Sequence, residues 1–365
     1  MQDAGWFLAH VPGQGAVRLA PRNATGLLPR GSLMLEFSLM AGESDGLPLL
    51  HMGSREGWLR FFSIVLDGEG HLQLVQRQGK AVHALTLDLA GECALGGRMR
   101  LLFTWDSVAA QSRLTVEGLD SGSLRQRMAH GPLPMDRADL TLLAEAAAGV
   151  QIGPRVDWLA LGDHVQPVGP GACFAPSTPL ATPQGVRPAG SLRPGDLVDT
   201  VDAGPQPVLW SGRISFPALG ALRPVRLCAP TFGATRDLWL QAQHRIALEG
   251  PAVDYLFGED EVLVAARYLV DGCSAQQPDR PCVLAWQGIL LEGHHLLIAD
   301  GCRVESLSLG RLGRNPALVR STALAGLAEA RALPLHLAPV RRALLPYEAQ
   351  ALAGARSRAR GPIAA

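Results

Sequence analysis

One cysteine, Cys173, stands directly after the Pro/Gly-rich run "DHVQPVGPGA" (163–172) and opens the stretch "CFAPSTPLATPQG". A thiol at the first position of a folded segment has two uses. It can turn back on its own preceding peptide bond as an intramolecular nucleophile, or it can fill a turn as a small apolar side chain. Holding the sulfur beside a carbonyl carbon gives it a high effective concentration, without which attack on an amide is uphill. The attack also needs help. The thiol must lose its proton, the departing nitrogen must gain one, and the tetrahedral oxyanion must find donors. An imidazole titrating near neutral pH is the natural proton carrier.

The rest of the composition narrows the setting. At 365 residues, 47% hydrophobic and 18% charged, the chain suits two domains with sizeable cores. Its formal net charge of zero argues against nucleic acid or an anionic membrane as partner. Lys80 is the only lysine, which reads as codon usage and not as arginine chemistry. The first residues, "MQDAGWFLAHVPGQG", show neither a basic start nor a long apolar run, so no cleavable secretory signal is expected. Export by another route stays open, and so does the compartment. No apolar run is long enough for a transmembrane segment; "LTLLAEAAAGV" is interrupted by Glu145. The six cysteines (93, 173, 228, 273, 282 and 302) are scattered without a C-x-x-C pair. Neither a zinc site nor a dense disulfide framework is expected, and no metal or cofactor is called for.

The elements that would position such a thiol are strands. From Gly31 to about Gly162 short alternating runs such as "SLMLEFSLM" are separated by turn residues. In "WLRFFSIVLDGEGHLQLVQRQGKAVHALTLDL", Asp67-Gly68 and Gly79-Lys80 are expected to supply the positive φ that tight hairpins need. Many strands at regular spacing predict a β-sandwich over residues 1–165. "GEGHLQLVQ" followed by "MRLLFTWDSVAAQSRLTVEGLDSG" resembles the concanavalin/laminin-G-like jelly roll. Residues 166–172 read as a linker. A second all-β domain is expected over 173–312. A helical tail is expected over 313–365, with Leu324, Leu327, Leu333 and Leu337 at helical spacing. The fold class is therefore all-β: a jelly-roll sandwich, a second β-domain and a short C-terminal helical tail.

The second domain carries a specific resemblance. Cys173-Phe174, Thr178, Gln184-Gly185, Leu192, Gly195-Asp196 and "GPQPVLW" from Gly204 to Trp210 follow one another in the order seen at the start of a Hint domain. "QHR" at Gln243–Arg245, "FGEDEVLVAARYLVDG", "EGHHLLIADG" and "LLPYEAQAL" continue the match. The Hint domain is the self-processing module of Hedgehog proteins and inteins; the pattern here is similar to the bacterial type found behind a β-sandwich. The resemblance implies an N–S acyl shift at Cys173. The Ala172–Cys173 bond would become a thioester, resolved by water, a thiol or an amine.

It also implies roles. His244 takes the place of the family's proton-transferring histidine. The residue three before it is usually Thr or Ser, whose hydroxyl bonds near the scissile peptide; here it is Gln241, whose amide can also donate to an oxyanion. His294 matches the late histidine that precedes a terminal asparagine in inteins. Here His295 and Leu296 follow and no asparagine is placed to cyclise, so splicing is not expected and only the amino-side cleavage is.

Plainer readings stand beside these. Cys173 could be a buried turn cysteine and His244 a core histidine on a backbone carbonyl. Only one of His294 and His295 can face a site, because adjacent strand residues point to opposite faces. Asp196 and Asp254 are acidic candidates for activating a nucleophile that spacing cannot separate from turn and surface residues. Asp67 and Asp120 could serve a calcium site, though turn chemistry accounts for them. The competing function is a surface protein whose sandwich binds a glycan or protein beside an inactive Hint domain. A papain-like protease fits poorly, since Cys173 does not open a helix and no fitting asparagine follows the histidine.

Overall fold

The computed structural model describes residues 5–21, 25–42, 45–54, 59–169, 173–310 and 312–359. The chain divides into two compact units. One comprises Met1–Val168 with Leu219–Ala221 and Pro281–Val283, and the other comprises the remaining residues from Gly169 onward.

In the first unit, period-two alternation produces two large antiparallel sheets, beside the small pair Leu27–Leu28 and Met135–Asp136. The larger runs Leu124–His130, Gln111–Gly118, Gly97–Asp106, Arg30–Leu39, Val156–Gly162, Trp6–Val11 and Gly15–Arg18, in that spatial order. The smaller runs Val150–Ile152, Leu47–Ser54, Arg60–Leu66, His71–Gln78 and Ala81–Asp88. Leu33, Leu35, Leu101, Phe103 and Trp105 from one sheet share a core with Phe62, Ile64, Leu72, Leu74 and Leu85 from the other. Each such fully buried side chain stabilises the fold by roughly 1.5–3 kcal/mol over its exposed state. This is the expected β-sandwich.

Two turns show how local chemistry differs from the simplest pattern. Gly79 has φ 60° and turns the His71–Gln78 strand into Ala81–Asp88, as expected. At the preceding turn the positive φ falls on Gly70 (85°), not on Gly68. The reason is Asp67, whose Oδ1 accepts the N–H groups of Glu69 (3.0 Å) and His71 (2.8 Å). The loop closes around that carboxylate, so its left-handed residue is displaced. Asp120 likewise accepts from the Arg98 backbone at 3.1 Å and pairs with its guanidinium at 3.0 Å.

The second unit again takes most of its regular structure from strands. Its main sheet includes, in spatial order, Val283–Leu291, Gly204–Pro217, Leu197–Thr200, Leu296–Ala299, Cys302–Glu305, Arg245–Glu249, Glu261–Ala265 and Arg342–Ala343. A smaller sheet holds Leu238–Leu240, Val225–Leu227 and Ala275–Gln276. The C-terminal part is helical in short pieces, Pro316–Val319, Ala325–Glu329 and Pro346–Ala359, and also lends the strand Arg342–Ala343, parallel to Val262–Leu263. The leucines at helical spacing do not share one helix. Ala325–Glu329 ends where Arg331 takes a left-handed φ of 54°, before Leu333 is reached, and Pro334 follows; Leu324 is buried, whereas Leu337 is exposed. No helix among the described residues is long and apolar enough to cross a membrane.

Candidate active site

Cys173 begins a segment held between two strands. Phe174 bridges Leu240 on one side and Gln287 on the other. It donates its N–H to the Gln287 carbonyl (3.2 Å) and accepts the Gln287 N–H (2.8 Å), while Ala175 donates to Trp239 (2.9 Å). The Cys173 carbonyl accepts the N–H of Gln241 at 3.0 Å. These bonds place the thiol inside the unit, fully buried. The strand beside it carries Gly288; a Cβ there would lie 3.3 Å from the Cys173 Sγ and 3.0 Å from the Trp210 ring. The glycine makes room for the sulfur. Burial pushes the thiol far above its usual range, so a thiolate does not accumulate before reaction.

His244 is reached through a tight turn, its N–H donating to the Gln241 carbonyl at 3.0 Å. Its ring is fully buried and packs edge-on against Phe174, with centroids 5.4 Å apart. Neither ring nitrogen has a hydrogen-bond partner among the described residues. Burial pushes the imidazole down to about 4; the nearby Glu305 carboxylate opposes this, and the Arg245 charge reinforces it. His244 is therefore neutral at pH 7, with one lone pair and one N–H unspent. Gln241 is also buried, and its Oε1 lacks a partner among the described residues, as does the Thr178 hydroxyl.

His294 sits on the far side of a buried carboxylate. Its Nε2 lies 3.2 Å from Glu305 Oε2, and its Nδ1 accepts the N–H of Val340 at 3.0 Å. Glu305 in turn accepts the Arg245 backbone N–H and Nε, both at 2.9 Å, and pairs with Nη2 at 2.6 Å. Burial raises the Glu305 carboxyl, but the His294 bond and the Arg245 charge and bonds outweigh it and hold it at about 2. His295, half-buried, points elsewhere: its backbone N–H meets the Ser306 hydroxyl at 3.0 Å, and Asp202 is its charged neighbour.

The structure thus gathers Cys173, Gln241, His244 and His294 around the Phe174 and Glu305 positions. Ala172 lies outside the described residues. Asp196 accepts the Arg193 N–H (2.8 Å) and pairs with Arg187 (3.2 Å), a turn role, and Asp254 is exposed on the short helix Pro251–Phe257. Glu305 and Gly288 were not singled out by sequence. Glu305 sits in "CRVESLSLG", where strand alternation hides a buried acid, and Gly288 in "CVLAWQGILLEG" looks like any strand glycine.

The family model described as "Hint domain" matches residues 172–311. Residues 172–311 are a Hint domain. It is a domain of the autoprocessing type, and a β-sandwich precedes it in this chain. Among solved structures, the bacterial intein-like domain from Clostridium thermocellum is similar at 14% identity. It covers 38% of this chain and 99% of its own, with a TM-score of 0.26. The MchDnaB-1 intein is 19% identical over 36% of this chain and 98% of its own, with a TM-score of 0.25. The CBM40 module of the Ruminococcus gnavus IT-sialidase is 13% identical over 37% of this chain and 77% of its own, with a TM-score of 0.27. No curated protein matches the chain.

Proposed function

We propose that the protein cleaves itself between Ala172 and Cys173 by an N–S acyl shift, separating the laminin-G-like sandwich from the Hint domain. The observation that carries the reading is a fully buried, neutral imidazole with both nitrogens unspent among the described residues, packed on the residue that follows a buried thiol. A thiol held far above its usual range reacts only if its proton leaves as the sulfur attacks. His244, with a lone pair at pH 7, takes that proton. The sulfur bonds to the Ala172 carbonyl carbon, and the tetrahedral oxyanion forms. His244 then delivers the same proton to the Cys173 nitrogen, the C–N bond breaks, and a thioester and a free amine result. The proton is carried across without solvent, which suits a dry site. Water, a thiol or an amine then attacks the thioester carbon. The C–S bond breaks, and the sulfur leaves with the nucleophile's proton. No cyclising asparagine is placed for splicing, so His294 has no second bond to cut.

Intact mass spectrometry of the full chain with dithiothreitol or hydroxylamine tests this. Two fragments summing to the full chain plus the added nucleophile are expected, and Cys173→Ala should give none. Persistence of the full-length mass in both would remove the proposal. It would favour the other reading, a glycan- or protein-binding sandwich beside an inactive Hint domain, for which the Gln241 departure speaks.

A further inference from the structure

The segment after the Hint-domain match, which ends at residue 311, returns to the candidate site. His336 is buried, and its Nδ1 accepts the Leu309 N–H at 3.2 Å. The other nitrogen must then carry the ring proton, and it faces the carbonyls of Leu291 (3.3 Å) and Glu292 (3.2 Å). The chain runs on past His294, whose ring centroid lies 6.0 Å from that of His336, and presents the Val340 N–H to His294 Nδ1. Arg341 next anchors it to Asp202 (2.8 Å) and Glu261 (2.9 Å). Arg342–Ala343 then pairs with Val262–Leu263, and Leu344 donates to the Leu263 carbonyl at 2.9 Å.

A backbone N–H can only donate. Its bond to Nδ1 requires a lone pair there, so neutral His294 must carry its proton on Nε2, aimed at Glu305. Glu305 passes the constraint on, since it also accepts the backbone N–H of Arg245, the residue bonded to His244. One line of contacts therefore runs from Val340 through His294 and Glu305 to the backbone that carries His244.

We propose that residues 336–344 form a strap that positions the self-processing centre, with the Val340 amide fixing the His294 tautomer and, through Glu305, the placement of His244. This rests on the self-processing reading only for its consequence; the tautomer itself does not depend on it. His294 acts here as a positioning residue with both ring nitrogens committed, in contrast to His244.

Val340→Pro deletes the amide hydrogen, and Val340→Ala keeps it. On the uncleavable Cys173→Ala chain, imidazole nitrogen NMR should show His294 as a single Nε2–H tautomer, both with Val340 intact and after Val340→Ala. Val340→Pro should bring in the Nδ1–H form or an averaged signal. An unchanged His294 signature in Val340→Pro would overturn the proposal. With Cys173 present, Val340→Pro should cleave more slowly than Val340→Ala, by on the order of a hundredfold. Equal rates would also overturn the proposal. If the chain with Val340 intact does not cleave either, the self-processing reading fails while the tautomer result still decides the strap. Should circular dichroism show Val340→Pro unfolded, Arg341→Gln replaces it. That variant loosens the anchor to Asp202 and Glu261 and leaves every amide in place. A second tautomer would support the strap, and a single unchanged one would overturn it.

Discussion

The imidazole of His244 leans edge-on against the ring of Phe174, 5.4 Å between centroids, so the histidine is locked to the residue that follows the buried thiol. The contact explains why a histidine is tolerated there. A buried polar atom without a partner costs about 1–3 kcal/mol, and His244 has two such nitrogens among the described residues. Packing on Phe174 holds the ring in place at that cost, and a reacting group is what would use its free valences.

The first prediction follows from the sign of the His244 shift. Its folded value of about 4 lies below the ordinary 6.5, so the unfolded chain binds the extra proton more readily. Stability due to neutral His244 is thus fully present above pH 6.5 and is lost as pH falls toward 4. The loss amounts to about 3 kcal/mol over that window. Urea unfolding of Cys173→Ala at pH 7 and pH 4.5 should show most of this fall, and an added His244→Gln should flatten it. Cleavage, which needs the His244 lone pair, should fall off only as pH approaches 4 and not near 6.5, read as initial fragment rate against pH.

Gly288→Ala is the second. The new methyl would press on the Trp210 ring and on the Cys173 Sγ together. Neither neighbour is the far end of a flexible chain, so the thiol must shift. Cleavage should slow by on the order of a hundredfold, with a stability cost of about 1–3 kcal/mol. Fragment yield against time, beside a melting curve, separates the two effects. A normal rate in a normally stable variant would mean that the sulfur does not need its present place.

Glu305→Ala is the third. It strips Arg245 of its side-chain and backbone acceptor and leaves the buried Nε2–H of His294 without one. Removing one partner of a buried pair costs about 3–5 kcal/mol, and the Arg245 side chain keeps some solvent access, so the lower end is expected. Glu305→Gln keeps an acceptor and should lose less. Denaturant midpoints on the Cys173→Ala background give the comparison; equal losses would show that the charge, not the acceptor geometry, is what matters.

The strands were readable because period-two alternation and Gly79 act locally, and Cys173 and His244 because each sits in an ordered run of residue types. What sequence could not show depends on long-range placement. The Asp67 carboxylate moved the positive φ from Gly68 to Gly70 by collecting backbone donors. A left-handed Arg331 split a leucine spacing that otherwise looks helical. Glu305 becomes an anchor only when Arg245 and His294 converge on it, and the Val340 contribution is an amide, which leaves no mark in residue type.

Gln241 supplies the last test. Its backbone is well used, donating to the Cys173 carbonyl and accepting from His244, but its buried Oε1 has no partner among the described residues. Gln241→Thr would keep both backbone bonds, remove the orphaned oxygen and place a hydroxyl at the position where the resembling family has one. Two opposing effects set the stability change. Losing an unpaired buried acceptor gains about 1–3 kcal/mol, and the vacated volume costs a comparable amount, so the fold should hold. The chemistry should respond more clearly, because a hydroxyl donor near the scissile peptide helps only as the oxyanion forms. Fragment formation should quicken by about tenfold or more, measured as the initial rate with hydroxylamine. A slower variant would show that the Gln241 amide is itself the donor on which cleavage relies.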